Sequence, residues 1–550
     1  MSDLTRRHSM ALIAAATLAG CATDTQPAGP SVFQHGVASG DPTSRSVVLW
    51  TRVTTPEDAR PVTWQLAEDR AFRSVIASGR AVAQKSADHT VKIVPQGLEP
   101  GRTYYYRFLA GPETSPIGRT RTLAVENLDR LVLALVSCSN YGFGYFNVYD
   151  AIARDPAIDF VLHTGDYIYE YGNPELERSP LRVRAMEPAH ETVSLEDFRL
   201  RHAQSKTDSS SQAMHAAHTL LACWDDHEVA NDSWLGGAQN HQPESEGRWA
   251  DRRDAAVQAY YEWMPVREPA GDLSRAQFWR TYRFGNLATM VTLETRHTAK
   301  AHQVDYAAYK DMLVGPEDRD TFLRDVLGAP GREMISEEMK ADLRDSLASS
   351  VARGEPWRLI GNPGLLVREN LPDLEHAGIR VEDHPELTIF DTYTDIVWKS
   401  RWGLPASTDA WGGYPAARQE FYEICQSAGA RDLVVLTGDS HAFWANQLAD
   451  DKGIAMGVEL GTAGITSPSD YMLGSLPVDL ARKLDALTTD ANPEVRWTDS
   501  LHRGYVKVDV TAAAARADFI IVDTVTSESY KTSVLRREQL VRTGDTIGFA

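Results

Sequence analysis

The first quarter of the chain consists of short apolar runs separated by turn residues. Four runs rich in β-branched and aromatic side chains predict β-strands, at residues 46–51, 62–66, 89–94 and 103–108. A linker rich in Pro, Gly and Thr precedes them at residues 22–30. The pattern predicts a small β-sandwich domain over residues 31–125, with a packing or spacer role.

The pattern changes from residue 131 onward, where apolar runs alternate with helical segments. Residues 131–136 form a continuous apolar run and residues 158–162 a second, mostly apolar one, and residues 146–152 between them read as part of an amphipathic helix. This alternation is typical of βαβ units with buried sheet strands. It predicts an α/β catalytic domain over residues 130–550.

Reactive side chains follow several of these apolar runs directly. Five runs end near such residues: Cys138, Asp166, the pair Asp225 and Asp226 with His227, Glu294 with Arg296, and Asp439 with His441. Ligands of open α/β sheets bind where the carboxyl ends of the strands bring loops together. The five runs therefore predict one functional site.

Length and charge narrow the function classes. A chain of 550 residues is too long for one compact core and predicts at least two domains. The formal charge of −20 disfavours a dedicated nucleic-acid binder, so no nucleic-acid partner is expected. An acidic chain is compatible with binding cations.

The N-terminus reads as an export signal over residues 1–21. Arg6 and Arg7 precede a short apolar stretch at residues 11–19, as in substrates of the twin-arginine export machinery. The stretch ends in Leu-Ala-Gly followed by Cys21, which resembles a lipoprotein cleavage site. We therefore expect an exported protein, periplasmic or on the outer surface, lipid-anchored to a bacterial membrane through Cys21. The alternative is a soluble secreted protein cut nearby.

Cysteine usage is also informative. If Cys21 carries lipid, three cysteines remain, and an odd number cannot form a complete disulfide set: Cys138, Cys223 and Cys425. At least one thiol needs another role.

Four strings carry a family resemblance: Ser-Cys-Ser around Cys138, Gly-Asp-Tyr-Ile-Tyr-Glu from Gly165, Trp-Asp-Asp-His-Glu from Trp224, and Thr-Gly-Asp-Ser-His from Thr437. In this order they resemble the PhoD-type alkaline phosphatases and phosphodiesterases, related to the calcineurin-like and purple acid phosphatases. The resemblance implies an α/β fold, namely a metallophosphoesterase two-sheet αββα sandwich preceded by a small fibronectin-like β-sandwich domain.

The resemblance also implies a metal centre with iron(III) and calcium. Asp166 would bridge two metals, with Cys138 and Tyr169 on the iron. The complete implied ligand set is Cys138, Asp166, Tyr169, Asp226, Asn362, Asp439 and His441. Asp439 stands where many relatives carry His, which suits calcium better than zinc. Asn231 is a further ligand candidate or a loop cap.

Two residues are implied as catalytic, His227 and Arg296. The function implied is that of an exported metal-dependent phosphate-ester hydrolase in which a metal-bound hydroxide attacks phosphorus in line. Arg296 would neutralise phosphoryl oxygens, and His227 would orient the substrate or protonate the leaving alkoxide. A salt bridge with a neighbouring acid is the alternative role for Arg296.

Two other function classes remain open. Gly438-Asp439-Ser440 resembles the start of a serine esterase motif with Ser440 as nucleophile. A non-catalytic, calcium-stabilised binding protein is the second alternative. The choice among monoesters, diesters and phospholipid headgroups as substrates is also open, because it depends on loops.

Overall fold

The structure is a computed structural model that describes residues 31–177, 179–380, 383–384 and 393–550, with side chains from residue 397 onward in the last range. The export signal and Cys21 lie outside the described residues.

The described strands follow one another along the chain as β1 (Val37–Gly40), β2 (Val48–Arg52), β3 (Ala59–Ala67), β4 (Val75–Gln84), β5 (Thr90–Ile93), β6 (Thr103–Ala110), β7 (Glu113–Thr114), β8 (Gly118–Arg121), β9 (Arg130–Val136), β10 (Phe160–Thr164), β11 (Thr219–Cys223), β12 (Arg280–Phe284), β13 (Ala288–Thr292), β14 (Trp357–Asn362), β15 (Leu433–Thr437), β16 (Phe443–Ala449), β17 (Ala455–Gly461), β18 (Val495–Asp499), β19 (Arg503–Thr511), β20 (Ala515–Val522), β21 (Thr532–Thr543) and β22 (Thr546–Phe549). The sequence-predicted strands correspond to β2, β3, β5, β6, β9 and β10.

The α-helices of the described part are α1 (Asn147–Ala153), α2 (Asn173–Leu176), α3 (Leu195–Thr207), α4 (Ser209–Ala217), α5 (Pro243–Glu246), α6 (Trp249–Trp263), α7 (Pro316–Phe322), α8 (Glu337–Ala352), α9 (Tyr393–Trp402), α10 (Pro415–Ser427), α11 (Asp470–Leu473) and α12 (Val478–Ala491). Local chemistry explains several starts. At α3 the Ser194 hydroxyl accepts from the Asp197 amide and the Asp197 carboxylate accepts from the Ser194 amide, which is a capping box.

Two large sheets form the body of the molecule. The first runs β22-β21-β20-β19-β9-β10-β11-β1-β2-β5, and the second runs β12-β13-β14-β15-β17-β16-β18. Strands β9, β10 and β11 are parallel to one another, as are β13, β14 and β15. The carboxyl ends of each parallel set therefore lie along one edge of its sheet.

The two sheets pack face to face, with helices on both outer faces. Leu133 and Leu135 of β9 point into the core between the sheets, together with Leu359 of β14 and Leu436 of β15. Alternate residues of β9 pack instead against α1, α3, α4 and α6, while α8 and α10 cover the second sheet. Because β9 is buried on both faces, its sequence is a continuous apolar run. The predicted αββα sandwich is confirmed.

A small β-sandwich precedes this body. Strands β4, β3, β6, β7 and β8 form a five-stranded sheet. It packs against the segment of the first large sheet made by β1, β2 and β5. Strand β1 pairs in parallel with β11, with Ser39 opposite Thr219. The small sandwich thus shares a sheet with the αββα body.

Among the described helices, none has the length and apolar character needed to cross a bilayer.

Candidate metal centre

Sharp backbone turns at the exits of three strands place the reactive side chains. Cys138 and Asp166 follow β9 and β10, and Asp439 and His441 follow β15; all four have left-handed backbone conformations, with φ between 54° and 63°. Non-glycine residues in this region store strain and often mark functional sites. The turns bring the ends of the two sheets together.

The first group of side chains combines sulfur, phenol, imidazole and carboxylate. Cys138 Sγ lies 3.4 Å from Asp166 Oδ2, and Tyr169 Oη lies 3.1 Å from the same oxygen and 3.0 Å from His441 Nε2. His441 Nδ1 donates to the Pro468 carbonyl at 2.9 Å, so its Nε2 lone pair faces the group. Burial, followed by the nearby Asp166 carboxylate, raises the pKa of the Cys138 thiol and of the Tyr169 phenol. A transition metal suits this donor set.

The second group is made of carboxylates alone. Oxygens of Asp166, Asp225, Asp226 and Asp439 lie within 4.8 Å of one another. Burial and neighbouring acids raise the pKa of Asp225 strongly and that of Asp439 to about 7. Burial alone would raise the pKa of Asp226, but Arg296 and His227 hold it below its usual value. A hard cation suits an all-oxygen set of this kind.

Orphaned oxygens support a metal at this position. Asp166 Oδ1, Asp225 Oδ2 and Asp226 Oδ1 are buried and accept no hydrogen bond from the described residues. Buried carboxylate oxygens without partners are costly, and bound cations would satisfy them. Asp166 belongs to each of the three residue groups that could hold an ion, so it occupies the shared position.

Glu170 fixes the orientation of the His227 ring. Its Nδ1 lies 2.7 Å from Glu170 Oε2, and its ring packs on Tyr169 with 4.1 Å between ring centroids. A ring nitrogen of His227 lies within 4.8 Å of carboxylate oxygens of Asp166 and Asp226. The sequence predicts that His227 lies beside the substrate, and in the structure it lies next to the carboxylates of Asp166 and Asp226.

Arg296 is buried within a network of charges. Its side chain is 3% exposed; Nε contacts Asp225 at 2.5 Å, Nη1 contacts Asp409 at 2.5 Å, and Nη2 lies 3.5 Å from Asp226. Lys300 also contacts Asp409. The guanidinium therefore makes the acid contacts that the sequence offered as an alternative role. Contact with a phosphoryl group stays a prediction.

Asn362 closes β14 beside this network. It is opposite Thr437 of β15, two residues before Asp439. Its Oδ1 accepts from Trp411 Nε1 at 3.2 Å, and its amide nitrogen donates to the Gly364 carbonyl at 2.5 Å. Trp411 thus packs beside the site, and Asp409 of the same segment contacts Arg296.

Several residues of the site were not singled out from the sequence. Glu228 accepts the backbone amides of Asp166, Tyr167 and Asp225 at 2.6–3.0 Å and so ties two strand exits together. Glu170 and Glu228 lie within the quoted strings and could have been considered, and Asp225 was named at a strand end but not as a ligand. Lys300 had no local signal, because its partner lies 109 residues away.

Asn231 lines the cleft beside Asp226 and His227, so its role as a ligand stays a prediction, whereas the cysteines outside the centre lie in none of the groups that could hold a metal. The Asn231 side chain donates to Gln239 at 3.1 Å, and its backbone amide donates to Glu170. Cys223 and Cys425 are buried free thiols. Of the described cysteines, Cys138 alone belongs to a group that could hold a metal.

A cleft of ≈ 570 Å³ opens beside the centre. Asp226, His227, Asp439, Ser440 and His441 line it at this end. The carboxylates and the imidazoles are therefore accessible to a ligand.

Comparison with known proteins identifies the class. Residues 133–519 match the family described as PhoD-like phosphatase, and residues 20–124 match its N-terminal domain. Alkaline phosphatase D of Bacillus subtilis (strain 168) is 34% identical over 511 residues, covering 90% of this chain and 78% of that protein. A solved structure described as "Structure of PhoD" matches with a TM-score of 0.76 at 30% identity, over 95% of this chain and 93% of the other.

The protein is therefore a phosphate-ester hydrolase. The chain belongs to the PhoD-like phosphatase family, and the resemblance seen in its sequence is confirmed.

Proposed function

We propose that the protein hydrolyses phosphate esters with two cations held at the ends of the two sheets. The carrying observation is the set of buried carboxylate oxygens without partners that converge on Asp166. Cys138, Asp166, Tyr169 and His441 would hold iron(III), and the carboxylate group of Asp166, Asp225, Asp226 and Asp439 would hold calcium. Asn362 is proposed as a further ligand on rotation of its amide.

Charge balance supports this pair of metals. The six acidic donors are Cys138, Tyr169 and the four aspartates, which carry six negative charges when all are ionised. A trivalent and a divalent cation would supply five positive charges, and Arg296 supplies the sixth. Two further carboxylates beside the centre have cationic partners of their own, because His227 contacts Glu170 and Lys300 contacts Asp409. Buried charges are tolerated only when paired in this way.

When bound, the metals would supply Lewis-acid chemistry, lowering the pKa of a water and neutralising phosphoryl oxygens. Water attacks phosphorus in line with the leaving oxygen, and the bond from phosphorus to that oxygen breaks. His227 orients the ester or protonates the departing alkoxide. Glu170 holds the imidazole in place, and Glu228 holds the backbone of Asp166 and Asp225.

Elemental analysis with kinetics tests this proposal. Purified protein should contain iron and calcium, and it should turn over 4-nitrophenyl phosphate or bis(4-nitrophenyl) phosphate. Removal of calcium by a chelator should stop turnover, and added calcium should restore it. Full activity after exhaustive metal removal would refute the proposal.

The serine esterase alternative has a different requirement, a base next to Ser440. Ser440 Oγ instead accepts from Trp444 Nε1 at 2.9 Å, and His441 Nε2 lies 3.0 Å from Tyr169. We therefore favour metal-dependent hydrolysis. Ser440→Ala should largely spare it and would abolish a serine esterase.

We also propose export through the twin-arginine route and anchoring through Cys21, on the strength of the N-terminal sequence. Cys21→Ala should release the protein from membranes while leaving the folded enzyme active, because the residue precedes the described body. A wild-type protein found wholly in the soluble fraction would refute the anchor.

A further inference from the structure

The cleft extends well beyond the metal centre. It runs from Asp226 and Asp439 to α12, where Leu484 and Asp485 line it. A volume of ≈ 570 Å³ lies within the range of pockets that enclose whole small molecules. The phosphoryl group belongs at the carboxylate end, so the remaining space is available to the organic part of an ester.

Apolar side chains form much of the wall in this second part. Leu371, Pro372 and Leu374 line it from the loop after β14, and Leu476 and Leu484 line it from around α12. Leu374 and Leu484 also pack in one small apolar cluster, which supports the wall from behind. We call the space between these residues the far arm. Its walls suit hydrocarbon rather than a strongly hydrated group.

The far arm also carries an excess of negative charge. Among the described residues that line it, Glu369, Asp470 and Asp485 are acidic and Lys399 is the one lysine. Asp485 accepts from Ser500, whereas Glu369 and Asp470 accept no hydrogen bond from the described residues. Two carboxylates are thus available to a ligand.

Aromatic faces add a second feature that favours cations. Tyr471 lines the far arm, and Trp444 lines the cleft next to Ser440. Aromatic rings attract ammonium groups through their π faces, most strongly where water is excluded. Among the described residues that line the far arm, Lys399 is the one cationic side chain, and it already donates to the Ala406 carbonyl and lies over the Tyr306 ring.

On the basis of the proposed function, we infer that the far arm binds the alcohol portion of the substrate and selects an apolar alcohol that carries a cationic nitrogen. Hydrocarbon would contact the leucine wall, and the ammonium would lie near Glu369 and Asp470. The far arm thereby distinguishes esters by their alcohol portion, although the reaction at phosphorus is the same for all of them.

Three matched diesters test this inference on the metal-loaded enzyme. Each has 4-nitrophenol as leaving group, and the second alcohol is choline, its neutral isostere 3,3-dimethylbutanol, or anionic 4-hydroxybutyrate. Burial and the neighbouring Asp470 and Asp485 raise the pKa of Glu369 to about 7, so the assay is run at pH 9. The expected kcat/KM for the choline ester exceeds that of the neutral ester by about tenfold, and the anionic ester is slowest.

Variants of Glu369 and Asp470 test whether these two carboxylates cause the preference for the choline ester. In Glu369→Gln/Asp470→Asn the ratio of choline ester to neutral ester should fall to about one, since the neutral isostere fills the same space without charge. The ratio is read within each variant, so any general change in activity cancels. Asp479→Asn is the matched control, because Asp479 is an exposed acid on the same helix as Asp485 and should keep the wild-type ratio.

The outcomes separate the two proposals. If the enzyme hydrolyses these esters but treats the choline and neutral diesters equally, or prefers the neutral one, the far-arm inference is overturned and the proposed function stands. Absence of all turnover in metal-loaded protein would overturn the proposed function. In that case, calorimetric measurement of the affinities of the choline and neutral esters would still test the far-arm inference, and equal affinities would refute it.

Discussion

Glu170 Oε2 and His227 Nδ1 form a buried contact of 2.7 Å that decides which ring nitrogen of the imidazole is available for chemistry. The other carboxylate oxygen accepts from the Asn231 backbone amide at 2.7 Å and from Asn240 at 2.8 Å. Three donors therefore converge on one carboxylate. With Nδ1 committed to Glu170, Nε2 is the nitrogen left to act in the cleft.

Glu170→Gln should lower kcat without removing metals. A glutamine amide cannot accept from all three donors, so one N–H would face another N–H and the ring would shift. We expect a fall in kcat of roughly 10- to 100-fold, since positioned acid–base groups contribute on this order. Metal content and kcat on the variant are the measurements. In a His227→Asn background the same change should have little further effect, and an undiminished effect there would contradict the positioning role.

Asp166→Asn should lower metal content and turnover together. Asp166 is shared by the groups proposed to hold the two cations, and its Oδ1 has no described partner. We expect turnover to fall by roughly a thousandfold or more, as when metal stabilisation worth several kcal/mol is lost. Elemental analysis and kinetics decide the matter. Normal metals with near-normal rates would remove Asp166 from the centre.

Arg296→Ala should destabilise the protein most when metals are absent. The change leaves the buried Asp225 without its cation partner, which costs about 3–5 kcal/mol in comparable buried pairs. Bound cations would replace part of that charge, so the loss of Tm should be smaller in metal-loaded protein. The control is Arg248→Ala, since its pair with Asp251 is exposed and contributes little. Equal losses with and without metal would contradict this account.

Lys206 should make the protein more stable at alkaline pH. Its ammonium is buried against Trp50, Tyr167 and His215, and burial lowers its pKa to about 7. Between this value and the ordinary lysine pKa near 10.5, the unfolded chain holds a proton that the folded chain has released. The free energy of unfolding should therefore rise with pH across that window by about 1.4 kcal/mol per unit.

The measurement for Lys206 is a comparison of unfolding curves from pH 6 to 10 with those of Lys206→Met. Tyr167 and His215 lie 2.9 Å apart and can keep their mutual hydrogen bond in the variant. Burial, more than the Lys206 charge, lowers the pKa of the neighbouring His163 and His202, so both rings stay neutral across this window in either protein. The exposed Lys85→Met is the control. Parallel pH profiles for wild type and Lys206→Met would disprove the effect.

The elements nearest the site were predictable from local sequence. Strands β9, β10 and β15 are buried on both faces, so their sequences are apolar runs that end abruptly at Cys138, Asp166 and Asp439. The edge strand β4 was not predicted, because its inward positions carry only the small residues Ala77, Gly79, Ala81 and Ala83, which give no strong apolar alternation. The fold class followed from the runs and the family resemblance together.

The sequence by itself determined which residue types stand at the strand exits and that they belong together. Only the tertiary structure decided their partners. Arg296 contacts Asp409 and Asp225, which lie 113 and 71 residues away in the sequence. Strand β1, from the predicted N-terminal domain, pairs with β11 of the predicted catalytic domain. Local patterns record burial and turn chemistry, whereas contacts between distant segments depend on sheet register and packing of the whole chain. This is why the ligand candidates were recognised early and the charge network that surrounds them was not.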